Sequence, residues 1–255
     1  RCEPAQRAMF CVAAAAFAPP APPATNTPWT NIGPKNIGDD VHGRGEAGTI
    51  GPAVSKDGVK MYMGGNNNAA SSGVLKSIDG GMHWTKVSAG ITDTRLLGLF
   101  IVDDAADHVL AGTPSGVFES TDGGTSWAYA PQTSHWGVAS GFTNGTINGK
   151  PYILVGNEAG IGNVPMTPGV SVVNASWSLI PPPPGHAAFR TNKITSSEVR
   201  NGKPLANSVV GGCIWPDHSH GVFHIATIVN TTFAEWSFQL DQPCISLALD
   251  PTDAD

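Results

Sequence analysis

The chain is poor in charge: only 13% of its 255 residues are Asp, Glu, Lys or Arg. It has 14 basic residues against 20 acidic ones and a formal net charge of −6. A nucleic-acid binder normally presents a basic face, so this balance argues against nucleic acid as the partner. Long apolar runs are also missing. No segment approaches the roughly 20 apolar residues of a membrane-spanning helix. No long run with helical spacing avoids Gly and Pro, of which the chain carries 31 and 21. In a helix interior these cost roughly 1 and 3 kcal/mol each, which argues against a helical fold. Cysteine is rare, with four in the chain. Cys2 and Cys11 lie near the N-terminus, which leaves Cys213 and Cys244 in the body, either paired or as two buried thiols.

What is present is a 40% hydrophobic fraction, enough for a globular core. Residues 8–17 form a short apolar stretch preceded by Arg1 and Arg7, as in a signal-peptide core, followed by a Pro-rich run over 18–24. Residues 1–27 are therefore read as a leader plus linker, and residues 28–255 as the folded domain. This reading points to secretion or export. Asn144, Asn174 and Asn230 each open an Asn-x-Ser/Thr sequon, which permits secretion without showing it.

The body is a repeat. Gly73-Val-Leu-Lys-Ser-Ile-Asp-Gly-Gly-Met-His-Trp84 and Gly116-Val-Phe-Glu-Ser-Thr-Asp-Gly-Gly-Thr-Ser-Trp127 match closely, and Asp79 and Asp122 stand 43 residues apart. That spacing is a propeller-blade period. Weaker copies follow, with Gly169-Val170 leading to Trp177 and Gly221-Val222 leading to Trp236. Upstream of each copy are two apolar segments. The nearer ones are 61–64, 109–112, 153–156 and 208–211; the farther ones are 49–54, 97–102, 137–142 and 194–199. Four strands per copy, named A to D from axis to rim, predict an all-β fold: a β-propeller with four complete four-stranded blades. Strand A is expected to be short and Gly-rich, strand B apolar on both faces, strand C to carry Gly-Val and strand D to begin at the Trp. A fifth strand A over 244–251 and a lone strand D over 28–33 suggest a partial fifth blade and a ring completed by further C-terminal blades.

The Ser-x-Asp-Gly-Gly-x-x-Trp pattern resembles the Asp box, or bacterial neuraminidase repeat, of the sialidase, xyloglucanase and sortilin-like propellers. The resemblance implies a C–D hairpin in which Ser77, Asp79, Gly81 and Trp84, and likewise Ser120, Asp122, Gly124 and Trp127, serve structure. A short acidic side chain accepts hydrogen bonds from its own turn. Sialidases use an Arg-Ile-Pro motif and a Tyr–Glu nucleophile pair, and neither is found here.

In a propeller the D–A connections and B–C loops share one face, and binding residues concentrate on such loops. That face gathers Asp40, His42, Arg44 and Glu46 on the first D–A connection, and Asp93 and Arg95 on the second. It adds Asn66 and Glu158 on B–C loops and Trp215, Asp217 and His218 on the fourth. Glycoside hydrolysis needs two carboxylates across a sugar, so Asp40, Glu46, Asp93 and Asp217 are the catalytic candidates. His42, Arg44, Asn66, Arg95, Glu158, Trp215 and His218 are the ligand-binding candidates, with the Trp suited to stacking on a sugar ring. The Asp217/His218/His220 spacing matches no metal signature, and no cofactor or metal is expected. Two functions follow: an exported propeller that binds or hydrolyses glycans, or a non-catalytic scaffold for protein or peptide ligands, as in sortilin-like receptors and photosystem II assembly factors.

Overall fold

The structure, a computed structural model, describes residues 49–65, 73–103, 107–137, 139–181, 191–200, 203–214, 222–229 and 232–241. Their strands form four antiparallel four-stranded meanders. Blade 1 comprises β1 (Thr49–Val54), β2 (Met61–Gly65), β3 (Gly73–Ser77) and β4 (Thr85–Lys86). Blade 2 comprises β5 (Gly98–Asp103), β6 (His108–Thr113), β7 (Gly116–Ser120) and β8 (Ala128–Tyr129). Blade 3 comprises β9 (Gly141–Ile147), β10 (Lys150–Asn157), β11 (Gly160–Pro165) and β12 (Ser178–Ile180). Blade 4 comprises β13 (Thr191–Arg200), β14 (Lys203–Ile214), β15 (Val222–Val229) and β16 (Thr232–Asp241). The first strand of each blade packs beside the first strand of the next, β1 on β5, β5 on β9 and β9 on β13. Successive meanders joined at their inner strands make a β-propeller.

The core lies between blades. All six residues of β6 are buried. Val109 and Ala111 pack with Tyr62, Val74 and Ile91 of the blade 1 side, whereas Leu110 packs with Ile153 and Val155 of blade 3. A strand sandwiched this way must be apolar on both faces, which explains its sequence. Each Val or Leu buried there contributes about 1.5–3 kcal/mol. Backbones also crowd near the axis: a Cβ on Gly98 would lie 2.5 Å from the Ser140 carbonyl oxygen.

Three strand assignments are corrected. The third strand A was expected over 137–142 and runs over Gly141–Ile147. Residues 139 and 140 instead tie the connection down, donating their amides to Thr113 O (3.1 Å) and Gly156 O (3.1 Å). Asn148-Gly149, both at positive φ, then close a two-residue hairpin, since Ile147 pairs with Lys150. The third strand C was expected at Gly169-Val170 but begins at Gly160, whose φ of 139° matches the 114° and 122° of Gly73 and Gly116. Gly169 sits in a turn closed by Val170 N–H on Thr167 O. The fourth strand D was expected to open at Trp236 and starts at Thr232, so Trp236 falls mid-strand opposite Ala226. Strand A is also not the short strand: in blades 1 to 3 strand D is, at two or three residues. The leader, the lone strand D over 28–33 and the fifth strand A over 244–251 lie outside the described residues.

Candidate functional site

The two ends of the blades are chemically different. At one end the A–B and C–D turns meet, with Gly80 N–H on Val59 O (2.9 Å) and Gly123 N–H on Asp107 O (3.0 Å). Here the two Ser-x-Asp-Gly-Gly-x-x-Trp turns share one geometry. The Ser77 hydroxyl donates to Asp79 Oδ1 (2.8 Å) and accepts from Gly81 N–H (2.9 Å), and His83 N–H donates to Asp79 Oδ1 (2.9 Å). In blade 2, Ser120 donates to Asp122 Oδ1 (2.8 Å) and accepts from Gly124 N–H (2.7 Å). Ser126 donates its amide to Oδ1 (2.8 Å) and its hydroxyl to Oδ2 (2.6 Å). These bonds stabilise the ionised carboxylates. The His83 amide, then its ring and the Ser77 hydroxyl, hold Asp79 down at about 2. Burial acts against Asp122, but the Ser126 and Ser120 bonds outweigh it and keep it below the ordinary value. Both aspartates serve their own turns. Trp127 is buried between blades and its indole N–H donates to Val87 O (2.7 Å) of blade 1, whereas Trp84 is half-buried and bonds Gly81 O (2.9 Å) within its own turn.

At the other end the D–A connections interleave with the B–C loops. Asp93 accepts the Ser115 hydroxyl on Oδ2 (2.7 Å) and the Arg95 amide on Oδ1 (3.2 Å). The Tyr129 hydroxyl donates to Ser115 O (2.6 Å). Leu96 N–H donates to Gly65 O (3.2 Å), which sets Arg95 beside the start of the blade 1 B–C loop. Glu158, on the blade 3 B–C turn, lies across Gly137, where a Cβ would meet its Oε2 at 2.4 Å. Asp93 and Glu158 are half-buried and Arg95 is exposed. The structure thus ties Asp93 to Ser115 and to the Arg95 amide and sets Glu158 at the same end of the next blade. Asp40, His42, Arg44, Glu46, Asn66, Trp215, Asp217 and His218 lie outside the described residues. Among the described residues, no group of three or more His, Cys, Asp or Glu could hold a metal, and no helix is long and apolar enough to cross a membrane.

Sequence reasoning missed Ser115, which fixes Asp93, and Trp136, the largest fully buried side chain among the described residues. It also missed Glu119 and His108, which meet at 2.5 Å with side chains 1% exposed. The available signal was a lone Glu inside the apolar run Gly116–Ser120.

No family model and no curated protein matches the chain. Among solved structures it is similar to an ancestral GH74 enzyme, with 13% identity and a TM-score of 0.45 over 82% of this chain. It is also similar to YCF48 from Cyanidioschyzon merolae, with 14% identity and a TM-score of 0.41 over 75% of this chain. The chain spans 33% of the first of these structures and 58% of the second.

Proposed function

We propose that this chain is an exported Asp-box propeller that binds carbohydrate on the face built from its D–A connections and B–C loops. The observation that carries this reading is the segregation of carboxylates. Asp79 and Asp122 lie at the C–D end within their own turns, and Asp93 and Glu158 lie at the opposite end, with Arg95 on the same connection as Asp93. Loops on a rigid scaffold are where recognition concentrates. Hydrolysis on this face needs a second carboxylate, from Asp40, Glu46 or Asp217, across the sugar from Asp93.

A second reading is a non-catalytic scaffold for a protein or peptide. It is favoured by the engagement of both Asp93 oxygens, which makes that carboxylate a tether between connection and loop. One experiment separates the two. The protein is screened on a glycan array and against chromogenic glycosides and polysaccharides, beside Arg95→Ala, Glu158→Gln, Asp93→Asn, Asp40→Asn, Glu46→Gln and Asp217→Asn. Glycan binding that weakens in Arg95→Ala or Glu158→Gln, and is unchanged in the turn variant Asp122→Asn, supports the first reading. Turnover lost in one or two carboxylate variants makes the protein a glycosidase. Neither binding nor turnover on any glycan sinks the carbohydrate reading and leaves the scaffold.

A further inference from the structure

Blade 3 has no Ser-x-Asp-Gly-Gly turn. Its C–D segment, residues 166–176, reads Met-Thr-Pro-Gly-Val-Ser-Val-Val-Asn-Ala-Ser and contains no ionisable side chain. The carboxylate that organises it comes from blade 2. Glu119, on strand C of that blade, accepts the Ser171 hydroxyl (2.5 Å) and the Val173 amide (3.1 Å) on Oε2. On Oε1 it accepts the Val172 amide (2.8 Å) and meets His108 Nε2 (2.5 Å). The segment is then closed on itself by Trp177, whose indole N–H donates to Val172 O (2.9 Å).

The surroundings limit which groups can act. Glu119 pairs in register with the uncharged Leu110 and Ala128. His108 comes from the neighbouring strand β6, and Asp103 on β5 is its register partner. His108 Nδ1 is buried without a hydrogen-bond partner. An ionised Glu119 already accepting three donors requires a proton on His108 Nε2, which donates to Oε1.

We propose that Glu119, backed by His108, is an acid-released latch that holds the C–D strap of blade 3 against blade 2. Ionised, the carboxylate has acceptor capacity for all four contacts. Protonated, it becomes a donor at one oxygen and must turn away at least one of the Ser171, Val172 and Val173 donors, which have no other acidic partner in the strap. Burial pushes Glu119 up, yet the His108, Ser171 and Val172 bonds outweigh it and hold the group below its ordinary 4.5. A carboxylate lowered in the fold contributes its full stabilisation above the unfolded value and loses it as pH falls through the folded one. The strap therefore opens below pH 4.5 while the apolar packing of Val109, Leu110 and Ala111 of β6 against the neighbouring blades, which involves no carboxylate, stays shut.

Hydrogen-exchange mass spectrometry tests this on the intact chain, comparing a peptide over 166–177 with one over β6, corrected for intrinsic exchange. In the wild type, Val172 and Val173 are protected near pH 7 and lose about tenfold or more of that protection below pH 4.5, with β6 unchanged. In Glu119→Gln the strap exchanges fast at neutral pH and shows no further acid step. Wild-type protection in Glu119→Gln overturns the proposal. So does loss of protection in the strap and β6 at the same pH. If the variant does not fold, the wild-type pH series alone still decides between strap opening and joint loss.

Discussion

Substituting Gly162 by Ala tests the packing between blades 2 and 3. A Cβ there would lie 2.3 Å from Trp136 Cζ3 and 2.4 Å from Cη2. Carbon atoms in contact prefer about 3.5–4.0 Å, so the indole must retreat by more than an ångström. It has little room to do so. Trp136 is 1% exposed and stands edge-on to Trp177 at 5.4 Å between ring centroids. Both belong to the cluster that includes Leu110, Val117, Ile153 and Val155. Overpacking of a filled core costs about 1–3 kcal/mol. For a domain of this size that lowers Tm by about 2–12 °C, read by calorimetry or circular dichroism. Trp136→Phe removes the clashing carbons, so in the double variant the penalty of Gly162→Ala shrinks, with a coupling of about 0.5–3 kcal/mol. A Tm for Gly162→Ala within about 1 °C of wild type, or strict additivity in the cycle, refutes the reasoning.

Three further outcomes follow from the turns and their neighbours. Ser120→Ala strips a buried hydroxyl that accepts the Gly124 and Asp122 amides and donates to Asp122, so the urea midpoint should correspond to a loss of about 1–3 kcal/mol. Asp79 should titrate by NMR at about 2, and His83→Ala, which removes the ring bond and keeps the amide bond at that position, should raise that midpoint part of the way toward 3.8. Its contribution is whole above 3.8 and lost as pH falls through the folded value. Tyr62 is pushed well above 10, first by burial and then by the charge of Asp107, which also takes the Lys60 ammonium at 2.6 Å. Alkaline ultraviolet titration should leave Tyr62 neutral past the usual range, and Asp107→Asn should bring it down.

The fold was legible where local chemistry and repeat period agree. The two full Ser-x-Asp-Gly-Gly-x-x-Trp copies fix strands C and D in blades 1 and 2 because each needs the same turn. The Val-Leu-Ala-Gly and Ile-Leu-Val-Gly runs mark strand B because neighbouring blades bury both of its faces. Blade 3 was misread for a physical reason. With its C–D turn organised from outside, the local signature was gone, and Gly169-Val170 imitated the start of a strand. The better marker was Gly160, which sits at the same positive φ as Gly73 and Gly116 and 44 residues after the latter.

The site was legible in kind and not in partnership. Loop position alone put Asp93, Arg95 and Glu158 at one end, but what Asp93 does depends on Ser115, 22 residues away across a B–C turn. Sequence spacing cannot report a bond made by the fold. The same limit hid Glu119, and it has a general cause in this architecture. The residue just before the turn serine projects toward the following blade: Lys76 in blade 1 reaches Asp107 at 3.8 Å, and Glu119 in blade 2 reaches the strap of blade 3. Lys76 meets a blade whose own turn is complete, and it adds an ion pair. Glu119 meets one whose turn has lost its acid, and it supplies the acid. A repeat protein can thus lose a structural motif in one blade and keep the turn, provided the preceding blade carries a carboxylate at that position. For the same reason, restoring Ser and Asp to the blade 3 turn should relieve the dependence on Glu119.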